Sequence, residues 1–305
     1  MRSGDDLGFA SPRPCLTITI PAERDRQDEV VIHAVAPIAR GLQDLPGDHE
    51  FDFERLNKPS WRVGLTLRGS GEWLEEVGRP FLEERLAMIK ARGAIPGFAF
   101  EAEASDEKWL GRPRDRSLLA RFSCVDSLAA LAVLENDVGG ENSPSRAEWS
   151  LLVVEGLLDR FSLSDEDRLD FYRDGFHWAV EMGRWDAGVL DALEEKYHAE
   201  ADALGTLLDH AAKPASLDAL WKNARAVRIA RSCLDAQGAP IAAIVAQAGG
   251  TGRLDRTLRQ IAGYATRGHS NRLGIHATQE AVMRYLVWRA RGGRLTANGS
   301  LPVSP

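Results

Sequence analysis

Apolar positions in the first hundred residues recur with two different periods. Alternation of apolar with polar residues, which is typical of half-buried strands, predicts strands at 15–20, 51–56, 61–68 and 98–102. Spacings of three and four residues predict helices at 28–42, kinked at Pro37, and at 72–92, interrupted near Pro80. The resulting order, β-α-β-β-α-β, is that of a ferredoxin-like split βαβ region.

Beyond Pro113 the strand signals nearly vanish and helical spacing takes over. Helices are predicted at 117–135, 145–161, 165–182, 187–210, 216–234, 251–264 and 278–291. We therefore expect an α+β protein in which the ferredoxin-like region precedes a mainly α-helical region. A flexible arm is expected at 1–14, an α+β region at 15–113, a helical region at 114–292 and a flexible tail at 293–305.

Composition narrows the classes of function. The 305 residues are 44% hydrophobic and 27% charged, which suffices for a sizeable core. No apolar stretch reaches the roughly 18 to 20 residues that cross a bilayer, and the N-terminus is charged where a signal peptide is apolar, so we expect a cytoplasmic protein away from membranes. The net charge of -7 argues against non-specific nucleic-acid binding.

The sequence gives no sign of a metal site or a cofactor. Cys15, Cys124 and Cys233 are odd in number and widely separated, which fits neither a disulfide framework nor a zinc site. The Gly-rich stretches at 249–252 and 292–293 lack the strand and the lysine of a phosphate-binding loop. We expect the protein to use neither a cofactor nor a metal ion.

Two polar clusters are candidates for chemistry. Residues 264–274 supply a phenol, an imidazole, a hydroxyl, an amide and two guanidinium groups between two predicted helices, so they are either a plain turn or a functional loop. Residues 121–127 lead into an apolar run, and there Asp126 or Ser127 is expected to cap a helix.

Three segments, taken in order, resemble the signatures of one family. Residues 51–69 align without a gap with Phe-Phe-Ile-Arg-Tyr-x-Asp-Pro-x-x-His-Leu-Arg-Leu-Arg, Asp126 and Ser127 match a paired Asp-Ser, and 264–273 is similar to Ser-Leu-Ile-His-Met-His-x-Asn-Arg-Leu. The family is the C-terminal, elimination-type domain of the lanthipeptide and thiopeptide dehydratases, here in a stand-alone form. The resemblance implies that the α+β region binds a leader peptide and that the helical region is catalytic.

The chain departs from that pattern where the family eliminates glutamate. Gly64 and Thr66 replace the two arginines of Leu-Arg-Leu-Arg, and Arg267 replaces the first histidine of His-Met-His. A leaving carboxylate needs cationic donors, and removal of an α-proton needs a base with a pKa near neutrality, which an always-protonated arginine is not. Of the polar set, Arg55 and His269 remain.

The departures make the chain similar to the pyridine synthases of thiopeptide and pyritide biosynthesis. By resemblance, such an enzyme joins two dehydroalanines of one precursor peptide in a formal aza-[4+2] cycloaddition, with loss of water and the leader peptide. The expected partners are the dehydrated precursor peptide with its leader and other enzymes of the pathway. Two alternatives remain open: a glutamate-eliminating half of a split dehydratase, and a non-catalytic leader-binding scaffold.

The hypothesis assigns roles to named residues. His269 and Tyr264 are the expected proton-transfer groups, Ser270 joins them at the catalytic site, and substrate contacts are expected from Asn271, Arg272, Asp126, Ser127 and Arg55. Plain structural roles also remain open, with Arg272 in an ion pair to Asp126 or Glu280, Asn271 as a cap and Tyr264 in the core. The leader groove is expected beside Trp61 and Trp73.

Overall fold

The computed structural model describes residues 13–101, 113–136, 143–183, 185, 187–211, 213–248 and 258–295. Most of the expected arm and tail therefore lies outside the described residues. The four strands are β1 Cys15–Pro21, β2 Glu50–Leu56, β3 Arg62–Arg68 and β4 Ala99–Glu101. They form one antiparallel sheet in the order β2-β3-β1-β4. The protein is α+β, and its N-terminal elements follow the predicted order.

The two faces of the sheet differ in polarity because the strand registers place apolar residues opposite apolar residues. Leu16 and Phe51 both lie opposite Leu67, and Ile18 and Phe53 both lie opposite Leu65. All six side chains are buried. Because side chains alternate along a strand, the other face carries the polar positions, and its cross-strand rows include Thr17, Thr66 and Asp52.

Two helical stretches accompany this sheet, and each contains a π-helical turn shortly before a proline. The first comprises α1 Gln27–Val30, a π-helical turn at Val31–Val35 and α2 Ala36–Gln43; the second comprises α3 Gly71–Trp73, a π-helical turn at Leu74–Gly78 and α4 Arg79–Ala91. The interruption predicted near Pro80 takes the form of this second π-helical turn, and the chain stays helical through it. Each proline lies within the first two positions of an α-helix, directly after the wider turn, where its missing N–H costs little and the helix continues.

The remaining helices are α5 Pro113–Leu134, α6 Arg146–Arg160, α7 Asp165–Gly183, α8 Ala187–Ala211, α9 Leu217–Leu220, α10 Ala224–Ala248, α11 Leu258–Arg272 and α12 Ala277–Ala290. Contacts divide the described chain into two compact units, with the division after Leu131 in α5. In the second unit α6 packs on α8, α10 and α11, while α7 packs on α11 and α12. None of the described helices is long and apolar enough to cross a bilayer.

The helix predicted at 216–234 is broken at residues 221–223 and ends later, at Ala248. A short helix stops at Leu220, and a new one begins after Asn223, whose Oδ1 accepts hydrogen bonds from the backbone N–H groups of Arg225 (3.0 Å) and Ala226 (3.1 Å). Asparagine is one of the residues preferred at the N-cap of a helix. The new helix, α10, then continues through Pro240 to Ala248.

Candidate functional site

The polar cluster that was expected to form a turn is helical. Tyr264 to Arg272 belong to α11, and the chain turns only after it, at Gly274, which has φ +78°. The N–H of Gly274 donates to the carbonyl of Asn271 and that of Ile275 to the carbonyl of Ser270, both at 2.9 Å. This pair of bonds is the usual glycine-terminated helix end. The expectation of an inter-helix turn is therefore wrong by about eight residues.

The side chains of this cluster differ in burial because they lie on different faces of α11. His269, Ser270 and Arg272 are buried, with exposures of 1%, 2% and 5%. Tyr264 and Asn271 are half-buried, while the side chain of Arg267 is exposed. The three buried polar residues therefore lie inside the second unit, although a solvated turn would have left them in water.

Arg272 folds back along its own helix. A Cβ atom at Gly268 would lie 2.9 Å from Nη1 of Arg272, which is closer than real Cβ contacts allow. Gly268 therefore gives room to the guanidinium group four residues later. The glycine that suggested a turn in the sequence serves a close side-chain approach within a helix.

Ser270 forms part of a small cleft within the second unit. Its Oγ lies 3.2 Å from Oγ of Ser150 on α6. The cleft has a volume of about 250 Å³, including the part open to solvent, and four helices line it. Its polar lining residues are Ser150, Tyr172, Thr266, Ser270, Glu280 and Arg284.

Charges at the cleft are paired. Arg284 binds Oε1 of Glu280 through Nε at 3.0 Å and Nη2 at 2.7 Å, and its guanidinium carbon lies 4.5 Å from the ring centroid of Phe171. Both side chains of the pair are mostly buried. The guanidinium group thus holds α12 against α7.

A second buried network includes Tyr172, which lines the cleft. The Tyr172 hydroxyl donates to Oε1 of Glu155 at 2.7 Å, and Arg291 and Arg168 also bind that carboxylate. Burial, followed by the charge of Glu155, raises the pKa of Tyr172 well above its ordinary value. The phenol of Tyr172 therefore stays protonated and donates a hydrogen bond to the carboxylate of Glu155.

Asp126 and Ser127 lie in the middle of α5, so the expected helix start at this point is wrong. The helix begins at Pro113, a residue that suits the first helical turn. Both side chains are fully buried in the first unit. Oγ of Ser127 accepts a hydrogen bond of 3.2 Å from the N–H of Phe53, an outward-facing group of the edge strand β2.

Cys124, one turn earlier on α5, accepts a hydrogen bond from the backbone of Phe51 in the same strand. Burial raises the pKa of this thiol. Arg55, the last of the candidate substrate contacts, also lies in the first unit, where Nη1 binds Oδ1 of Asp28 at 2.7 Å. Its side chain is 7% exposed.

The three departing positions have distinct surroundings. Gly64 lies in β3, and a Cβ atom there would be 3.1 Å from Cδ1 of Leu56, so Leu56 would have to shift to admit a long side chain. Thr66 is on the same face of β3. The guanidinium carbon of Arg267 lies 4.6 Å from the ring centroid of Trp178 on α7.

The two tryptophans beside which a leader groove was expected are both half-buried. Trp73 stacks on His49 with ring centroids 4.6 Å apart, and its Nε1–H donates to the carbonyl of Pro46 at 2.7 Å. Trp61 is half-buried, with the guanidinium carbon of Arg24 at 5.8 Å from its ring centroid. The large apolar side chain that is exposed among the described residues is Trp178, which sequence reasoning missed.

Comparisons with solved structures find the same fold in three proteins. The tRNA-dependent lantibiotic dehydratase MibB from Microbispora sp. 107891 has a TM-score of 0.62 and 16% identity, over 92% of this chain and 28% of that one. The pyridine synthase TbtD, from thiomuracin biosynthesis, has a TM-score of 0.68 and 17% identity, over 92% of this chain and 97% of that one. TsrL has a TM-score of 0.60 and 17% identity, over 91% and 94%.

The chain thus spans 28% of the length of the dehydratase. A comparison with the curated proteins gave no match. The family model described as the lantibiotic biosynthesis dehydratase C-terminal domain matches residues 16–291. Because this range is most of the 305 residues, the chain belongs to that family.

Proposed function

We propose that the protein is a pyridine synthase that macrocyclises a precursor peptide containing dehydroalanines. The observation that carries the proposal is that three positions linked to glutamate elimination in the family hold Gly64, Thr66 and Arg267, while His269 is retained beside Ser270 in a buried helix. Glycine and threonine offer no cation to a leaving carboxylate. The cationic donors and the histidine that the family uses for elimination are therefore replaced here, whereas a cycloaddition between neutral alkenes expels no carboxylate and removes no α-proton.

The surroundings of Arg267 strengthen this argument. Its guanidinium group is exposed and stacked over Trp178, and an arginine remains protonated at any ordinary pH. It cannot remove the α-proton that a histidine in its place would remove. Arg267 therefore has a binding role rather than a role as a base.

The proposed reaction depends first on positioning. Both alkenes lie in one peptide, so holding them together replaces an unfavourable macrocyclic encounter and can supply several kcal/mol of the barrier. The peptide amide that precedes one dehydroalanine must become its imidic tautomer to act as the 2-azadiene. That step requires a proton donor at oxygen and an acceptor at nitrogen.

The retained polar groups of α11 match these requirements. We assign proton transfer to His269 and Tyr264, and we assign the contact to a substrate carbonyl to the hydroxyl group of Ser270, with Asn271 and Arg272 as further binding groups. After ring formation, loss of water and then of the leader as an amide gives the aromatic pyridine. The same donor and acceptor serve these later proton transfers.

Mass spectrometry of a dehydrated precursor peptide after incubation with the purified protein tests this function. We expect a cyclised core that has lost one water, together with a free leader amide. Release of glutamate from a glutamylated precursor would instead identify an eliminase. No mass change despite tight binding of the leader would identify a scaffold, and either of these two results would refute the proposal.

A further inference from the structure

Trp178 and Arg267 form a platform on the surface of the second unit. Trp178 is 46% exposed, and it is the large apolar side chain that stands out at the surface of the described chain. The guanidinium carbon of Arg267 lies 4.6 Å from the ring centroid. The two side chains restrict each other's position, since a cation over an indole ring is attracted to the ring.

The charge of Arg267 is not compensated by the described contacts. Two other arginines on α7 and α11 are neutralised: Arg173 binds Asp170 at 2.7 Å and Asp174 at 3.1 Å, and Arg259 binds Asp170 at 2.9 Å. Arg267 has no carboxylate within salt-bridge distance among the described residues, and Glu181, exposed one turn beyond Trp178, makes no described contact with it.

This geometry suits a carboxylate that is adjacent to an apolar group. A guanidinium group that stacks through its face keeps its N–H donors at the edge, where a carboxylate can accept two of them. The exposed part of the indole ring is then available for an apolar side chain. A neutral polar segment would neither pair with the guanidinium charge nor cover the exposed indole ring.

The platform is close to the candidate chemistry. Arg267 precedes Ser270 by three residues on α11, a rise of about 4.5 Å along the helix axis. A peptide bound at the platform would thus have neighbouring residues within reach of the site.

We propose that Trp178 and Arg267 form a docking platform for an acidic segment of the peptide substrate that carries an apolar residue beside its carboxylates. Its identification with the precursor peptide rests on the proposed function, whereas the binding of an acidic peptide does not. The platform would recruit the substrate and fix its register, so its loss should raise KM more than it lowers kcat.

The platform can be tested without turnover. The protein is labelled with ¹⁵N-tryptophan, the indole signal of Trp178 is identified from a Trp178→Phe variant, and an acetylated, amidated peptide Leu-Glu-Glu-Leu is titrated in low salt. We expect the Trp178 signal to shift with the acidic peptide and to shift little with Leu-Gln-Gln-Leu. The Arg267→Gln variant should bind the acidic peptide about twofold to fivefold more weakly, as expected for loss of one exposed ion pair.

The matched control is Arg85→Gln. Arg85 is also exposed and stacks over an aromatic ring, that of Phe81 at 5.5 Å, but it lies in the first unit. Unchanged peptide binding in this variant would show that the loss in Arg267→Gln depends on where the charge was removed and not on the change in net charge. The proposal is overturned if the Trp178 signal stays in place, if the two peptides shift it equally, or if both arginine variants behave alike. Failure of the cyclisation assay would leave this binding result intact.

Discussion

The hydroxyl oxygens of Ser150 and Ser270 lie 3.2 Å apart, so a buried hydrogen bond joins α6 to α11 in the wall of the cleft. Two hydroxyl groups carry two protons, and the shared bond uses one of them. The second proton is available to another acceptor. If Ser150 donates to Ser270, then Ser270 can donate to a substrate carbonyl, and Ser150 acts as a positioning residue.

A double-mutant cycle on this pair is the first prediction. We expect Ser270→Ala to lower kcat and Ser150→Ala to lower it by a smaller factor, while the double variant resembles Ser270→Ala alone. Residues that act as one unit are not additive. Steady-state kinetics with the dehydrated precursor measures each kcat, and strictly additive effects would show that the two hydroxyl groups act independently.

The second prediction concerns proton transfer. His269→Ala should lower the cyclisation rate by about 100-fold or more, which is the usual contribution of a general acid or base, and Tyr264→Phe should lower it as well. His198→Ala is a control because that imidazole is 71% exposed on α8. Melting curves verify that each variant folds. Wild-type turnover in both His269→Ala and Tyr264→Phe would refute the assigned roles.

The third prediction concerns Ser127. Ser127→Ala leaves the N–H of Phe53 without its buried acceptor, so the free energy of unfolding should fall by about 1–3 kcal/mol. Chemical denaturation measures the change. Ser60→Ala, at an exposed position in the same unit, should change the stability by less than about 0.5 kcal/mol. Equal stabilities for the two variants would contradict the role given to Ser127.

The fourth prediction concerns alkaline pH. Burial, with the carboxylates of Glu155 and Glu194, raises the pKa of Tyr172 and of Tyr285 above its ordinary value. The unfolded chain therefore loses these two protons first. The contribution of these two tyrosines to stability should be constant below about pH 10, and above it should fall by about 1.4 kcal/mol per pH unit for each tyrosine until its folded-state pKa is reached.

Denaturation at several pH values between 8.5 and 11, in steps of about half a unit, measures this slope. The Tyr172→Phe variant is less stable at neutral pH because it leaves Glu155 without one donor. Its stability should nevertheless fall less steeply at alkaline pH. A slope that is identical in the variant and the wild type would exclude Tyr172 as its source.

The sheet could be predicted from sequence and the site helix could not. Strands β2 and β3 alternate apolar and polar residues strictly enough to fix their positions and their inner faces. In α11 the buried face carries polar groups, among them Thr266, His269 and Ser270. The helical spacing of apolar residues therefore ends at Ala265, and in the sequence Gly268 suggests a helix break.

Other parts of the site gave weak or misleading signals. Ser150 lies within an otherwise apolar stretch of α6, and a serine there has no pattern that sets it apart. Trp178 looks like a core residue in sequence, since tryptophans are usually well buried. The one usable signal was Gly274, because a glycine that follows a helix with a basic last turn marks its end.

The contacts of α5 with β2 have a consequence for assembly. The side chains of Cys124 and Ser127 accept hydrogen bonds from the outward N–H groups of Phe51 and Phe53, so these two donors of the sheet edge are not available to a further strand. Neither a second copy of the chain nor an extended peptide can lengthen the sheet at β2 without first displacing α5. The sheet is thereby protected on this side against strand-to-strand aggregation.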